Sequence, residues 1–170
     1  MHRLTPLHTL SRLGAAALIA ASALGMNPVC AAPAGSLGPL RSQSLGADGN
    51  VNSPNWSGYA VTSKQGDITQ VSGSWIVPAS DCSQTPSSGA SHWIGIDGYT
   101  SRTVEQTGTD SDCAKGSPRY YAWYEFYPSS GITISSLHVH AGDVMSAQVT
   151  YLGNSQFSLS IADEIGRAHV

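Results

Sequence analysis

From Asn55 onward, apolar and polar residues alternate in short runs broken by Gly, Pro and Asn. A period of two is the signature of a strand with one buried face. The runs lie at Asn55 to Val61, Ile68 to Val77, Trp93 to Gly98, Val104 to Gly108 and Tyr121 to Pro128. They continue at Gly131 to Val139, Met145 to Tyr151 and Phe157 to Ile161. Val71, Gly73, Trp75 and Val77 share one face, as do Met145, Ala147, Val149 and Tyr151, and again Phe157, Leu159 and Ile161. Gly153-Asn154 is a hairpin signal between the last two runs. Asp81 to Gly89 reads as a polar loop, and Thr109 to Pro118 as a polar interruption. No segment after Leu24 shows a capped helical period. About six or seven strands with regular turns and no helix predict an all-β fold, an antiparallel β-sandwich of two sheets.

Two of the runs break the simple pattern. In Trp93-Ile94-Gly95-Ile96-Asp97-Gly98, residues Trp93, Gly95 and Asp97 face one way. In Tyr121-Ala122-Trp123-Tyr124-Glu125-Phe126-Tyr127-Pro128, residues Tyr121, Trp123, Glu125 and Tyr127 do the same. A core face would be purely apolar, and a solvent face would carry no Trp. Large aromatics beside carboxylates describe the wall of a binding site.

The N-terminus changes the compartment. Arg3 and Arg12 precede an apolar run from Leu13 to Leu24, followed by Cys30-Ala31-Ala32-Pro33-Ala34. This is the layout of a secretory signal peptide, so residues 1–34 are expected to be removed and the product secreted and extracellular. The apolar run is short for a membrane span, and no membrane attachment is expected after cleavage. Residues 35–54 read as a flexible arm or short pro-segment. Two cysteines then remain, Cys82 and Cys113, and in an oxidising compartment they are expected to form one disulfide. Only 11% of the residues are charged, against about 25% in a typical soluble protein. Few carboxylates means little charge pairing to lose in acid. With a net charge of -3 there is no basic face for nucleic acid.

The alternation stops after Asp163. The heptapeptide Glu164-Ile165-Gly166-Arg167-Ala168-His169-Val170 matches the translation of GAG ATC GGA AGA GCA CAC GTC, a frame of a short-read sequencing adapter. We read 164–170 as adapter-derived, with the sandwich domain at 55–163 incomplete. On this reading the 170-residue chain is an inactive fragment.

Familiar catalytic signatures are absent. There is no Gly-x-Ser-x-Gly, no His-Glu-x-x-His and no Cys-x-x-Cys. His138 and His140 fall on one face of a run, but such a pair is more often solvated than metal-bound. No metal and no cofactor are expected.

Five motifs in order do resemble one family. They are Asn55-Trp56-Ser57-Gly58, Ser72-Gly73-Ser74-Trp75-Ile76-Val77-Pro78, Trp93 to Gly98, Glu105-Gln106-Thr107-Gly108 and Ala122 to Pro128. This order and spacing resemble the glutamic peptidases, or eqolisins. The resemblance implies a β-sandwich and a secreted endopeptidase active in acid on polypeptide substrates, monomeric when complete. It implies a Gln/Glu dyad with the Gln at Gln106, and Trp56, Trp93, Asp97, Trp123 and Glu125 around the cleft. The family's catalytic Glu lies in an Ala-Glu-aromatic-Ile segment near the C-terminus, which this sequence does not contain. Glu105 points away from Gln106, and neither Glu125 nor Glu164 takes that role.

The division of labour is chemically sensible. A carboxylate can take a proton from water and return it to the leaving amine. A primary amide stays a neutral donor in acid and can hold a tetrahedral oxyanion. Two other readings fit the same face. One is a glycoside hydrolase using Asp97 and Glu125, with the indoles stacked on sugar rings. The other is a non-catalytic module that binds peptide or carbohydrate.

Overall fold

The computed structural model describes the backbone at residues 2–4, 16–19, 43–45 and 51–164, and side chains at 53–164. Twelve strands follow in order: β1 (His2–Leu4), β2 (Ala16–Ile19), β3 (Gln43–Leu45), β4 (Val51–Asn52), β5 (Tyr59–Thr62) and β6 (Gln70–Ile76). Then come β7 (Ser87–Asp97), β8 (Val104–Ala114), β9 (Ser117–Tyr127), β10 (Ile132–Thr133), β11 (Val144–Gly153) and β12 (Gln156–Asp163). No helix occurs among the described residues, and so none that could cross a membrane.

The strands form two antiparallel sheets, in the orders β1-β12-β11-β6 and β10-β9-β8-β7-β2-β5, with β3 and β4 as a separate ribbon. The fold is a β-sandwich, as the alternation predicts. Val71 and Val77 meet Met145, Ala147, Val149, Phe157, Leu159 and Ile161 from the first sheet. Ile94, Ile96, Ala122 and Phe126 close on them from the second. Each Val, Leu, Ile, Met or Phe among them, fully buried, contributes roughly 1.5–3 kcal/mol. The sheets are also joined by a hydrogen bond from Trp75 Nε1 to Thr109 Oγ1, 2.8 Å long.

Two expectations fail locally. Thr109 to Pro118 is not an interruption: β8 runs to Ala114, and β9 starts at Ser117. Lys115 and Gly116 both have positive φ, 52° and 79°, as a two-residue primed turn requires. Among the polar residues of β8, Thr107, Thr109 and Asp110 take their partners from other strands. The expected strand from Gly131 to Val139 shrinks to Ile132–Thr133. Leu137 N bonds to Ile134 O at 3.1 Å, turning the chain at Ser135-Ser136. His138 and His140 therefore lie outside any strand. His140 Nδ1 lies 3.5 Å from Asp143 Oδ2.

The disulfide Cys82–Cys113 is present, with a Cα–Cα distance of 5.4 Å across 31 residues. A closed loop of this size stabilises the fold by about 3–4 kcal/mol. Gly116 N also bonds to Pro86 O at 2.9 Å, so the loop before β7 is fastened to the β8–β9 turn. Of the expected leader and arm, only β1, β2, β3 and β4 are described, as backbone. β2 pairs with β5 on one side and with Ile94–Ile96 of β7 on the other. The rest of residues 1–50, and residues 165–170, lie outside the described residues.

Candidate active site

Strands β7, β8 and β9 align so that residues facing the cleft form rows. Gly95, Gln106 and Glu125 stand opposite one another, and so do Trp93, Gly108 and Trp123. Ser91, Asp110 and Tyr121 form the next row, and Asp97, Val104 and Tyr127 end the series on the other side. Paired residues in an antiparallel ladder share a face, so the register converts five sequence motifs into one surface.

At its centre Gln106 Nε2 donates to Glu125 Oε2 at 2.5 Å. Both side chains are only 1% exposed. An amide nitrogen carries two hydrogens, so one remains for another acceptor. The second carboxyl oxygen of Glu125, Oε1, is buried without a hydrogen-bond partner. Gly95 leaves the space beside Gln106 open. A Cβ there would lie 2.9 Å from Gln106 Cβ and 3.1 Å from Glu105 O. Gly108 separates the two indoles for the same reason, since a Cβ would lie 2.3 Å from His92 O and 2.7 Å from Trp93 Cβ.

Trp93 and Trp123 form a buried pair, against which Trp56, Ala60, Tyr99 and Tyr121 pack. Trp56 meets Tyr99 edge-on, with ring centroids 6.4 Å apart. Its indole N–H is buried without a partner. The structure thus brings Trp56, Trp93 and Trp123 together, and separately joins Gln106 to Glu125. Asp97 stands one row beyond Gln106, at the strand end, with a φ of 70°. Burial pushes its pKa up to about 7, and its Oδ1 has no partner.

Glu105 lies on the other face, between Ile96 and Phe126 in the core. Burial first, and the charge of Asp97 second, push its pKa up to about 8. It therefore cannot meet Gln106, as strand parity requires. Glu164 N bonds to Val144 O at 2.8 Å, and its Oε1 accepts from the Ser146 hydroxyl on the opposite sheet. Sequence reasoning missed Asp110, whose Oδ1 accepts from Trp123 Nε1 at 2.6 Å. Carrying the two-residue period from Gln106 through Gly108 would have placed it on this face.

Residues 54–168 match the sequence profile described as the peptidase A4 family. Aspergillopepsin-2 of Aspergillus niger is 32% identical, over 64% of this chain and 45% of its own length. Scytalidopepsin B of Scytalidium lignicola is also 32% identical, over 63% of this chain and 39% of its own length. The chain spans less than half the length of these relatives. No solved structure matches it.

Proposed function

The chain belongs to the peptidase A4 family, and on that premise we propose that it supplies the amide half of a secreted, acid-active glutamic endopeptidase. The observation that carries this reading is the buried Gln106–Glu125 bond, one row from the packed indoles of Trp93 and Trp123 on the same sheet face. Glu125 fixes the amide so that its second N–H points to one place. A scissile carbonyl lodged there gains a donor that strengthens its bond as the oxygen becomes negative. The amide does so without titrating, which suits acid conditions. Trp93 and Trp123, 5% and 7% exposed, form an apolar wall beside the Gln106–Glu125 pair, and the Trp56 N–H is a buried donor with no partner in the fold. The family resemblance assigns the water-activating carboxylate to an Ala-Glu-aromatic-Ile segment, and no such segment occurs in this sequence. Glu105 is unsuited to that task because it faces the core.

The test uses the coding frame read from source DNA past codon 163. The parent is expected to cleave an unfolded protein in acid. Gln106→Ala should lower kcat by about 10²–10³-fold, as loss of an oxyanion donor does elsewhere. Unchanged cleavage in the variant would remove Gln106 from the mechanism. Sugar release from polysaccharide, with no peptide cleavage, would instead favour Asp97 and Glu125 as glycosidase acids.

A further inference from the structure

Beyond the two indoles, the cleft face carries a cluster with no part in the chemistry above. Asp110 Oδ1 accepts from Trp123 Nε1 at 2.6 Å and also from the Ser91 hydroxyl. Its other oxygen, Oδ2, lies 2.9 Å from the Tyr121 hydroxyl. The same hydroxyl lies 2.8 Å from Asp112 Oδ2. Ser91 and Tyr121 are the direct cross-strand neighbours of Asp110. One side chain thus ties β7, β8 and β9 together and holds the Trp123 ring by its nitrogen.

Counting protons is decisive here. A phenol has one hydrogen, so Tyr121 can donate to Asp110 or to Asp112, not to both. The other short oxygen–oxygen contact needs a second proton, or lone pairs face each other in a half-buried site. Asp110 Oδ1 already takes two donors, so the extra proton belongs on an Oδ2 atom. Burial raises the pKa of Asp110 and the charge of Asp112 adds to that, against the hydrogen bonds from Ser91, Tyr121 and Trp123. Burial, and then Asp110, also raise the pKa of Tyr121, so the phenol keeps its own proton. The consistent arrangement has Asp110 Oδ2–H donating to Tyr121, and Tyr121 O–H donating to Asp112.

We propose that Asp110 is a positioning residue: as a neutral acid it completes a carboxyl–phenol–carboxylate bridge that holds the aromatic wall of the cleft for an extended polypeptide. The proposal rests on reading the cleft as a peptide site. Other titratable or charged groups on this face are Arg119, opposite Asp112, and Tyr99, packed on the indole pair. Glu125, Asp97 and Tyr127 lie further along, and β7 presents Ser91 and Trp93 to the cluster. When the shared proton leaves, two carboxylates face one phenol. Tyr121 keeps a single partner, and the wall loses a tie between β8 and β9.

The bridge can be read without any activity, in the full chain carrying tyrosine labelled at Cζ, followed by NMR from about pH 3 to about pH 8. Tyr121→Phe identifies the signal. Asp110→Asn mimics the neutral acid: its Oδ1 still accepts from Trp123 and Ser91, and its Nδ2 donates to Tyr121. The Tyr121 signal should titrate in the parent and keep its acid-side position in Asp110→Asn. Binding of fluorescein-labelled unfolded casein should weaken about tenfold across one titration in the parent and stay nearly level in the variant. A Tyr121 signal that never moves, or one that titrates equally in Asp110→Asn, overturns the bridge. A titrating signal with equal pH dependence of casein binding in both proteins overturns the positioning role. Casein that binds at no pH counts against the peptidase reading, and the Tyr121 titration alone then decides the bridge.

Discussion

The sheet β7–β8–β9 buries two glutamates to the same degree on opposite faces, and their circumstances differ completely. Glu105 faces the core between Ile96 and Phe126, with Oε2 unpartnered and a pKa near 8. Glu125 faces the cleft and accepts from the Gln106 amide. The first lies in an apolar layer that can only hold it neutral. The second spends its burial on orienting another group. Burial therefore does not by itself distinguish a structural acid from a functional one; the partner on the neighbouring strand does. On the core face of β8, Thr107 donates to Trp123 O at 2.7 Å and Thr109 accepts from Trp75, while Glu105 Oε2 and Ser111 Oγ are buried without partners. On the other face Gln106 and Asp110 are hydrogen-bonded, and the unpartnered oxygens belong to Asp97 on β7 and Glu125 on β9.

The largest effect expected from breaking this contrast concerns Glu105 and pH. Its pKa rises from 4.5 in the unfolded chain to about 8 in the fold, so the folded protein holds a proton that the unfolded chain releases. That contribution is fully present below about pH 4.5 and is lost as pH rises through about 8. Asp97 behaves alike between 3.8 and about 7. For Glu105 a rise of this size corresponds to roughly 5 kcal/mol of stability lost on the alkaline side. Urea unfolding should show the parent much less stable at alkaline than at acid pH. Glu105→Gln, which is always neutral, should remove about half of that difference and leave the part due to Asp97. An equally steep loss in the variant would show that Glu105 is not the acid responsible.

A smaller change tests the cleft face. Gly95→Ala places a methyl 2.9 Å from Gln106 Cβ, on a strand whose φ tolerates alanine. Overpacking of this kind costs about 1–2 kcal/mol of stability. Cleavage of an unfolded protein in acid should fall about tenfold, because a donor displaced from its position loses most of its value. A loss of stability with undiminished cleavage would mean that Gln106 is not the donor.

Much of this surface could be read before any coordinates. Alternation assigned Trp93, Asp97, Trp123 and Glu125 to cleft faces, and the motif order added Trp56 and Gln106. Register was not readable. Nothing in the residues says that Gln106 stands opposite Glu125, because that depends on where the Lys115-Gly116 turn falls. That turn was hidden because Thr109 to Pro118 is polar on both faces, and local polarity mimics a loop when the partners come from distant strands. Trp75 is 34 residues from Thr109. At Gly131 to Val139 the error ran the other way. β-Branched composition favours a strand, but only Ile132 and Thr133 reach Tyr124 and Trp123 before Ser135-Ser136 turns the chain. Strand propensity measures fit to a pleated surface, and it needs a neighbour to act on.

The smallest expected effect separates the two halves of the Gln106–Glu125 pair. Glu125→Gln keeps an oxygen that can accept from Gln106 Nε2, so the amide stays oriented. Glu125→Ala removes the acceptor and leaves a buried amide free to rotate. A hydrogen bond of this kind contributes about 1–2 kcal/mol, so Glu125→Ala should lower kcat by roughly tenfold more than Glu125→Gln does. On the proposed reading KM should change little in either, because the amide acts on the reacting carbonyl rather than on binding. If both variants fall equally, Glu125 acts through its charge on the reacting atoms, and its role moves from orienting Gln106 to taking part in the chemistry. If KM rises instead of kcat falling, the pair serves binding, and the cleft is better described as a module that holds a peptide without cutting it.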